Sequence, residues 1–221
     1  MISECIPYVV AAYLLGSVPF GKLIAKIVAR IDITKRGSGN IGATNVAREV
    51  GIKWGLLTLA LDVIKGSIPV VLFAYHASEA PLSYQIALSA VGLSALLGHQ
   101  FSIFQGFRGG KGVATGLGIY LAMSPYTRLS CLVAFILFIV TVYKWRFVSL
   151  GSMVSACAMP LLLLLFGETP PLVVTSLIVA GLISFAHREN IQRLAKGEEN
   201  KWKRSKSHSS RPRSLSNSSS E

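Results

Sequence analysis

Seven apolar stretches, most of them long enough to cross a lipid bilayer, constrain the fold of this chain more than any other feature. They lie near residues 7–29, 55–75, 82–99, 113–124, 126–143, 147–166 and 170–186. A helix that crosses the ~30 Å hydrocarbon layer needs about 20 mostly apolar residues. Charged residues make up only 14% of the chain, too few to cover a water-soluble globule. The sequence therefore predicts an all-α, polytopic integral membrane helical bundle.

The fourth apolar stretch decides how many times the chain crosses the membrane. Residues 113–124 are too short to cross alone, and Gly112, Gly116 and Gly118 indicate a partial or tightly packed span. Merging or re-entry of neighbouring stretches would leave five spans instead of seven. With seven spans and the N-terminus outside, the inside segments contain 18 of the 22 Lys and Arg residues, and the outside loops contain only Arg128. This excess obeys the positive-inside rule, so about seven spans with a cytoplasmic C-terminus are predicted.

Two charged residues fall within the second predicted span. Asp62 and Lys65 are three residues apart, so they lie on one face of a helix and can pair. A charge in the middle of a span costs about 2.5–3.5 kcal/mol on insertion scales, and pairing lowers that cost. We therefore expect a structural ion pair in the inner half of this span.

The first inside loop contains a dense run of small polar residues, RGSGNIGATNVAR at 36–48. Its glycines can turn backbone N–H groups toward an anion, and neighbouring side chains add neutral donors and positive charge. These residues are Gly37, Gly39, Gly42, Ser38, Asn40, Thr44, Asn45, Arg36 and Arg48. The run also matches the dinucleotide pattern G-x-G-x-x-G, but it lacks the preceding strand that such a fold needs. A phosphate-binding loop is predicted, with a flexible polar connector as the alternative.

The second inside loop, GHQFSIFQGFRGGKG at 98–112, holds a cation among glycines. Gly109, Gly110 and Gly112 surround Lys111 just before a helix is predicted to begin. Helix N-termini attract anions, although the P-loop pattern G-x-x-x-x-G-K-[ST] is not met. We therefore expect Lys111 to contact phosphate.

A third polar cluster follows the last span. His187, Asn190 and Arg193 recur at three-residue spacing, so they share one face if the helix continues. Histidine exchanges protons near neutral pH, which makes His187 a candidate proton acceptor. A surface histidine without a catalytic role is the alternative.

The sequence lacks the patterns of several other chemistries. It has no cluster of carboxylates suited to Mg²⁺, no H-x-x-x-x-D acyltransferase motif and no G-x-S-x-G elbow. The formal net charge of +12 reports membrane orientation rather than nucleic-acid binding. A cation-rich and carboxylate-poor site predicts an anionic substrate that is handled without metal.

Three of these segments carry a family resemblance. GSGNIGATN, GHQFSIFQGFRGGKG and HRENIQRLAKGEE, in this order between apolar spans, closely resemble the PlsY family of bacterial membrane acyl-phosphate:glycerol-3-phosphate acyltransferases. GSVPFGKLIAK, DVIKG and RFVSLGSM are similar to that family as well. The resemblance extends over about residues 5–199 and leaves out the Ser-rich tail.

The resemblance implies a seven-helix protein of the bacterial plasma (inner) membrane with a cytoplasmic active site. Family members move a fatty acyl chain from acyl phosphate to the sn-1 hydroxyl of glycerol 3-phosphate, giving lysophosphatidic acid and phosphate in phospholipid biosynthesis. Neither a cofactor nor an acyl-enzyme is implied, and an enzyme that produces acyl phosphate is the implied pathway partner. A transporter or flippase of an anionic phosphorylated metabolite remains the alternative.

The resemblance and the residue chemistry of the polar loops together assign roles to individual residues. The catalytic set is Ser38, Lys111, His187 and Asn190, and the phosphate-binding set is Gly37, Gly39, Asn40, Asn45, Arg48, Arg108, Gly109, Gly110, Gly112 and Ser149. The proton acceptor is either His187 or a substrate phosphate. The membrane-embedded acyltransferase domain is expected at 1–199, followed at 200–221 by a disordered, basic, Ser-rich cytoplasmic tail.

Overall fold

The computed structural model describes residues 2–76 and 81–202, and all regular structure within those ranges is helical. The α-helices are α1 Ile2–Gly16, α2 Phe20–Ala29, α3 Ala43–Glu49, α4 Ile52–His76, α5 Pro81–Gln100, α6 Val113–Met123, α7 Pro125–Trp145, α8 Val148–Leu165, α9 Pro170–Ala186 and α10 Arg188–Ala195. Two 3-10 turns, Ile33–Lys35 and Ile103–Gln105, lie in the long connections. The predicted all-α fold is confirmed, and the predicted tail from residue 203 onward lies outside the described residues.

The apolar helices differ in whether they can cross a bilayer. In the described ranges five are long and apolar enough: the α1–α2 segment Glu4–Ala29, α4, α5, α7 and α8. The pair α9 and α10, which is bent by 60°, makes a sixth if it is counted as one span. Helix α6 has 11 residues and is about 16 Å long, too short to cross alone, as the sequence predicted. The seven predicted stretches thus correspond to these six segments and the short α6.

Helix packing arranges the bundle around α4 and α6. Helix α4 packs against α6, α1 packs against α5, and α7, α8 and α9 form a consecutive row. A continuous apolar core runs through these helices. A smaller apolar cluster of Ile24, Ala25, Ile33, Ile41 and Val46 joins α2, α3 and the connection between them, and so anchors the first polar loop.

The predicted pair of charges is present inside the bundle. The Lys65 ammonium lies 2.9 Å from the Asp62 carboxylate, and both side chains are buried. Lys65 also donates to the carbonyl oxygen of Val18 at 2.8 Å. Val18 precedes Pro19, where the chain breaks between α1 and α2, so the ammonium binds a carbonyl that the helix interruption leaves without a helical partner. The hydrogen bond from Lys65 therefore stabilises the interrupted first span.

Glycines allow α4 and α6 to pack closely. A Cβ atom at Gly66 of α4 would overlap the carbonyl oxygen of Thr115 in α6. Conversely, a Cβ atom at Gly118 of α6 would overlap the carbonyl oxygen of Val63 in α4. Small residues at such contacts are typical of membrane helix pairs, because they let backbones approach. The sequence-based prediction of a tightly packed α6 is thereby confirmed.

We expect Gly118→Ala to destabilise the protein, because the added methyl group must push α6 away from α4. Overpacking of this kind costs about 1–3 kcal/mol, so the thermal unfolding midpoint in detergent should fall. Gly181→Ala is the matched control, since a Cβ atom at Gly181 of α9 would meet no atom within 4 Å among the described residues. An unchanged midpoint for Gly118→Ala would contradict the close helix contact.

Candidate active site

A cavity of about 460 Å³ joins the polar loops to the interior of the bundle. Its polar end is lined by α3 and the loop before it, by the segment that precedes α6, by the start of α8, and by α10. Its other end is lined mainly by apolar side chains of α4, α6, α7, α8 and α9. The cavity is thus a polar chamber that continues into an apolar arm.

Nine of the fourteen residues predicted for the site line this cavity. They are Ser38, Asn40, Asn45, Arg48, Lys111, Gly112, Ser149, His187 and Asn190. The other five do not line it: Gly37, Gly39, Arg108, Gly109 and Gly110. Folding therefore brings together residues from all three predicted polar segments and from RFVSLGSM.

The first loop is shaped by the buried side chain of Asn45. The amide oxygen of Asn45 accepts from the backbone N–H of Ser38 at 3.0 Å. The amide nitrogen donates to the carbonyl oxygens of Arg36 at 3.0 Å and Asn40 at 2.9 Å. The amide side chain of Asn40 in turn accepts from the backbone N–H of Gly42 at 2.8 Å. Because both donors of Asn45 are used inside the loop, this residue holds the backbone that presents Ser38.

The glycines of the second loop pack against the end of α5. The backbone N–H of Gly110 donates to the carbonyl oxygen of His99 at 3.1 Å. A Cβ atom at Gly109 would overlap that oxygen, and one at Gly110 would overlap the imidazole of His99. Gln100 donates to the carbonyl oxygen of Lys111 at 3.0 Å. These contacts fix the backbone of Lys111 and leave its side chain free to enter the cavity.

Lys111 meets the third polar segment inside the cavity. Its ammonium donates to the amide oxygen of Asn190 at 2.5 Å, a contact between residues 79 positions apart. Burial lowers the pKa of Lys111 to about 8, and the nearby positive charges of Arg193 and Arg48 act in the same direction, opposed by Glu199. A desolvated ammonium of this kind favours an anionic ligand, which would restore its usual pKa.

His187 lies just beyond the end of α9, almost fully buried. Its Nδ1 atom is 2.8 Å from the carbonyl oxygen of Ile183. A carbonyl only accepts, so Nδ1 carries the proton and Nε2 has a lone pair available. Burial, followed by the positive charge of Lys111, lowers the pKa of His187 to about 4. The imidazole is therefore neutral at physiological pH and can accept a hydrogen bond.

Glu199 was not predicted, yet it connects three site residues. One carboxylate oxygen accepts from the Ser149 hydroxyl at 2.7 Å and from the Asn190 amide at 2.6 Å, and the other accepts from Arg193 at 2.8 Å. Burial alone would raise the pKa of Glu199, but these donors outweigh it and hold the pKa below its usual value. The only signal in the sequence was its position in the third resembling segment. Glu199 thus fixes α10 against the start of α8.

The segment that follows Glu199 also belongs to the site. The backbone N–H of Trp202 donates to the carbonyl oxygen of Arg146 at 2.7 Å, and Asn200 and Trp202 line the cavity. Residues 200–202 fall within the tail predicted from the sequence. In the structure they lie across the connection between α7 and α8.

The apolar arm opens sideways toward the surface of the bundle. Leu56 and Leu59 of α4 and Phe135 of α7 line the arm and are also exposed on the outer surface. Leu117 of α6 and Ala156 of α8 line it between these helices. The exposed surface of membrane helices faces lipid, so a hydrocarbon chain could enter the arm directly from the bilayer.

Taken together, these residues suit the binding of phosphorylated compounds with a hydrocarbon chain. The polar chamber offers the cations of Arg48, Lys111 and Arg193, while the arm offers an apolar surface. In the described ranges no group of three or more His, Cys, Asp or Glu side chains could hold a metal ion. The chemistry available in the chamber is electrostatic stabilisation, hydrogen bonding and proton acceptance.

Comparison with solved structures shows the same fold in a known enzyme. The crystal structure of PlsY (YgiH), an integral membrane glycerol 3-phosphate acyltransferase, in its glycerol 3-phosphate form matches with a TM-score of 0.82 and 38% sequence identity. The match covers 90% of this chain and 96% of that one. The lysophosphatidic acid form of PlsY matches with a TM-score of 0.80 and the same identity and coverage. The fold described here is therefore that of a multi-pass membrane protein.

Sequence comparison gives the same relationship. A protein of Geotalea daltonii named glycerol-3-phosphate acyltransferase is 48% identical over 204 residues, which is 92% of this chain and all of that protein. A protein of Geobacter sulfurreducens with the same name is 46% identical over 203 residues, again 92% of this chain and all of that protein. The family model for glycerol-3-phosphate acyltransferase matches residues 6–197. This chain therefore belongs to the glycerol-3-phosphate acyltransferase family.

Proposed function

We propose that this acyltransferase moves a fatty acyl group from a fatty acyl phosphate to the sn-1 hydroxyl of glycerol 3-phosphate, giving lysophosphatidic acid and phosphate for phospholipid biosynthesis. The observation that carries the proposal is the joining of a cationic chamber to a lipid-facing apolar arm in one cavity. An acyl phosphate has a phosphate for the chamber and a chain for the arm. Another enzyme of the cell must supply this activated donor.

The distribution of charge supports a cytoplasmic position for the site. The polar chamber is built from the segments that contain most of the cations of the chain, and such segments stay in the cytoplasm of bacterial cells. Glycerol 3-phosphate is a water-soluble anion, and the acyl chain belongs in the bilayer. The proposed location is therefore the bacterial inner membrane, with the chamber open to the cytoplasm.

The first task of the site is to hold two anions that repel each other. Arg48 and Lys111 supply charge, and the hydroxyl groups of Ser38 and Ser149 supply neutral donors. Charge-assisted hydrogen bonds to phosphate are about twice as strong as neutral ones. Neutralisation lets the glycerol hydroxyl approach the acyl carbonyl, and positioning then contributes a large part of the rate.

The reaction itself is a direct acyl transfer. The sn-1 oxygen forms a bond to the carbonyl carbon, and the bond from that carbon to the phosphate oxygen breaks with its electron pair on the phosphate. The hydroxyl proton passes to a base. The products, lysophosphatidic acid and phosphate, then account for all the atoms and charge of the two substrates. Phosphate is already a good leaving group. No acyl-enzyme is therefore required, and Ser38 serves as a hydrogen-bond donor.

Two groups could accept the proton, His187 and a substrate phosphate. The low pKa of His187 favours the phosphate. With a pKa of about 4, His187 is neutral but a weak base. A phosphate monoester has a second pKa of about 6 and is the stronger base of the two. We infer that Nε2 of His187 accepts the hydrogen bond of the sn-1 hydroxyl and orients it, while a phosphate oxygen takes the proton.

We expect the purified protein to form lysophosphatidic acid from palmitoyl phosphate and glycerol 3-phosphate in the presence of EDTA, because no metal is needed to neutralise the phosphates. Thin-layer chromatography with radiolabelled glycerol 3-phosphate measures the product. Liposomes that contain the protein provide the second measurement. Uptake of glycerol 3-phosphate without any acylated product would contradict acyl transfer and support a transporter.

We expect His187→Gln to retain more activity than His187→Ala, because an amide can still hold the hydroxyl although it cannot act as a base. The kcat of each variant, measured by phosphate release, decides between the two roles. Equal losses of about 10²–10⁴-fold in both variants would identify His187 as the proton acceptor. Exposed Arg188→Ala is the control for changes at this helix end.

We expect kcat/KM for glycerol 3-phosphate to fall above about pH 8, because deprotonation of Lys111 removes a charge from the chamber. Because the pKa of Lys111 is lowered, kcat/KM should fall at a lower pH than that at which lysine usually loses its proton. Bound phosphate should raise the pKa of Lys111, so kcat should fall only at higher pH. Lys111→Arg stays charged, so any activity it retains should persist above pH 8. Lys144→Arg, at the exposed end of α7, should keep the wild-type profile, and a pH-independent wild-type profile up to pH 10 would contradict the assignment.

A further inference from the structure

The apolar arm of the cavity ends at a common depth on four helices. The lining residues furthest from the polar chamber are Tyr120 on α6, Cys131 on α7, Met159 on α8 and Val179 on α9. The next residues along these helices do not line the cavity. All four side chains are buried. Together they form a floor that closes the arm inside the bundle.

Helix geometry gives the depth of this floor. Tyr120 is eight residues beyond Gly112, and Met159 is ten residues beyond Ser149. At 1.5 Å of rise per residue the floor lies about 12–15 Å from the polar chamber. One leaflet of the hydrocarbon layer is about 15 Å thick, so the arm is about as deep as a membrane acyl chain is long. The terminal methyl group of a donor would therefore lie near the floor.

The floor is formed by side chains that belong to the apolar core of the bundle. The Tyr120 hydroxyl is buried and has no hydrogen-bond partner among the described residues. Because its oxygen has almost no accessible surface, this hydroxyl is enclosed by packed side chains and does not open into the arm. The arm therefore ends where the closed core of the bundle begins, at these side chains.

We propose that Tyr120, Cys131 and Met159 set the length of the acyl chain that the enzyme accepts. The inference rests on the acyl transfer proposed above, because it assigns the arm to the donor chain. Each methylene that enters the arm leaves water or the disordered bilayer for a fitted surface, up to the point where the methyl group meets the floor. Longer chains must bend out through the lipid-facing opening, where they gain nothing further.

The test compares saturated acyl phosphates of increasing length with one enzyme preparation at a time. The measured quantity is the ratio of kcat/KM for an 18-carbon donor to that for a 14-carbon donor, which does not depend on the fraction of folded enzyme. Met159→Ala lowers the floor and should raise this ratio at least about fourfold, the factor for one additional buried methylene. Cys131→Phe raises the floor and should lower the ratio by a similar factor.

Two further variants separate floor height from other effects. Leu161→Ala removes a side chain of similar size from the exposed face of the same helix and should leave the ratio unchanged. Tyr120→Phe keeps the height and removes only the unpaired hydroxyl, so the ratio should again remain at the wild-type value. An equal shift in Leu161→Ala or Tyr120→Phe would overturn the proposal, because the change would not follow the depth of the arm.

The outcome for Met159→Ala decides the proposal even if Cys131→Phe gives no folded protein. A ratio within twofold of wild type would show that the floor does not limit chain length. Failure of acyl transfer itself is a different result, because the wild-type enzyme would then form no lysophosphatidic acid with any donor length.

Discussion

The structure of the site depends on one buried charge, the ammonium of Lys111. Its hydrogen bond to Asn190 joins the connection before α6 to α10. No carboxylate binds Lys111 directly among the described residues. Glu199, the carboxylate that acts most strongly on Lys111, is itself bound by Ser149, Asn190 and Arg193. The chamber therefore retains uncompensated positive charge. A bound phosphate would supply the missing negative charge, so ligand binding and the assembly of the three polar segments would favour each other.

The parts of the fold that the sequence predicted are those set by local physical rules. Bilayer thickness sets the length of an apolar helix that crosses it, so the stretches at 126–143 and 147–166 agree closely with α7 and α8. Helical spacing alone predicted the pair of Asp62 and Lys65, because residues three apart share a face. The break in the first span was missed, since the polar partner that stabilises it, Lys65, comes from another helix.

The site was predicted by residue type, but the task of each residue depends on contacts between distant segments. Asn45 was predicted to bind phosphate, yet its amide holds the backbone of its own loop. Gly109 and Gly110 permit close contact with His99 and do not line the cavity. Glu199 escaped prediction because a carboxylate in a basic segment gives no sign that it will meet Ser149, 50 residues away. Local sequence shows which groups are available, whereas the fold decides which of them face the ligand.

The short α6 explains how one cavity can serve both a soluble anion and a lipid chain. A helix of 11 residues that begins at the polar chamber ends within the hydrocarbon layer, and Gly66 and Gly118 hold it against α4. This contact draws the N-terminal end of α6, with Lys111 before it, toward the loop that carries Ser38. The same helix carries Leu117 and Tyr120 along the apolar arm. Because one rigid element forms part of both surfaces, the distance from the phosphate site to the floor is fixed, and a fixed distance is what selection of chain length requires.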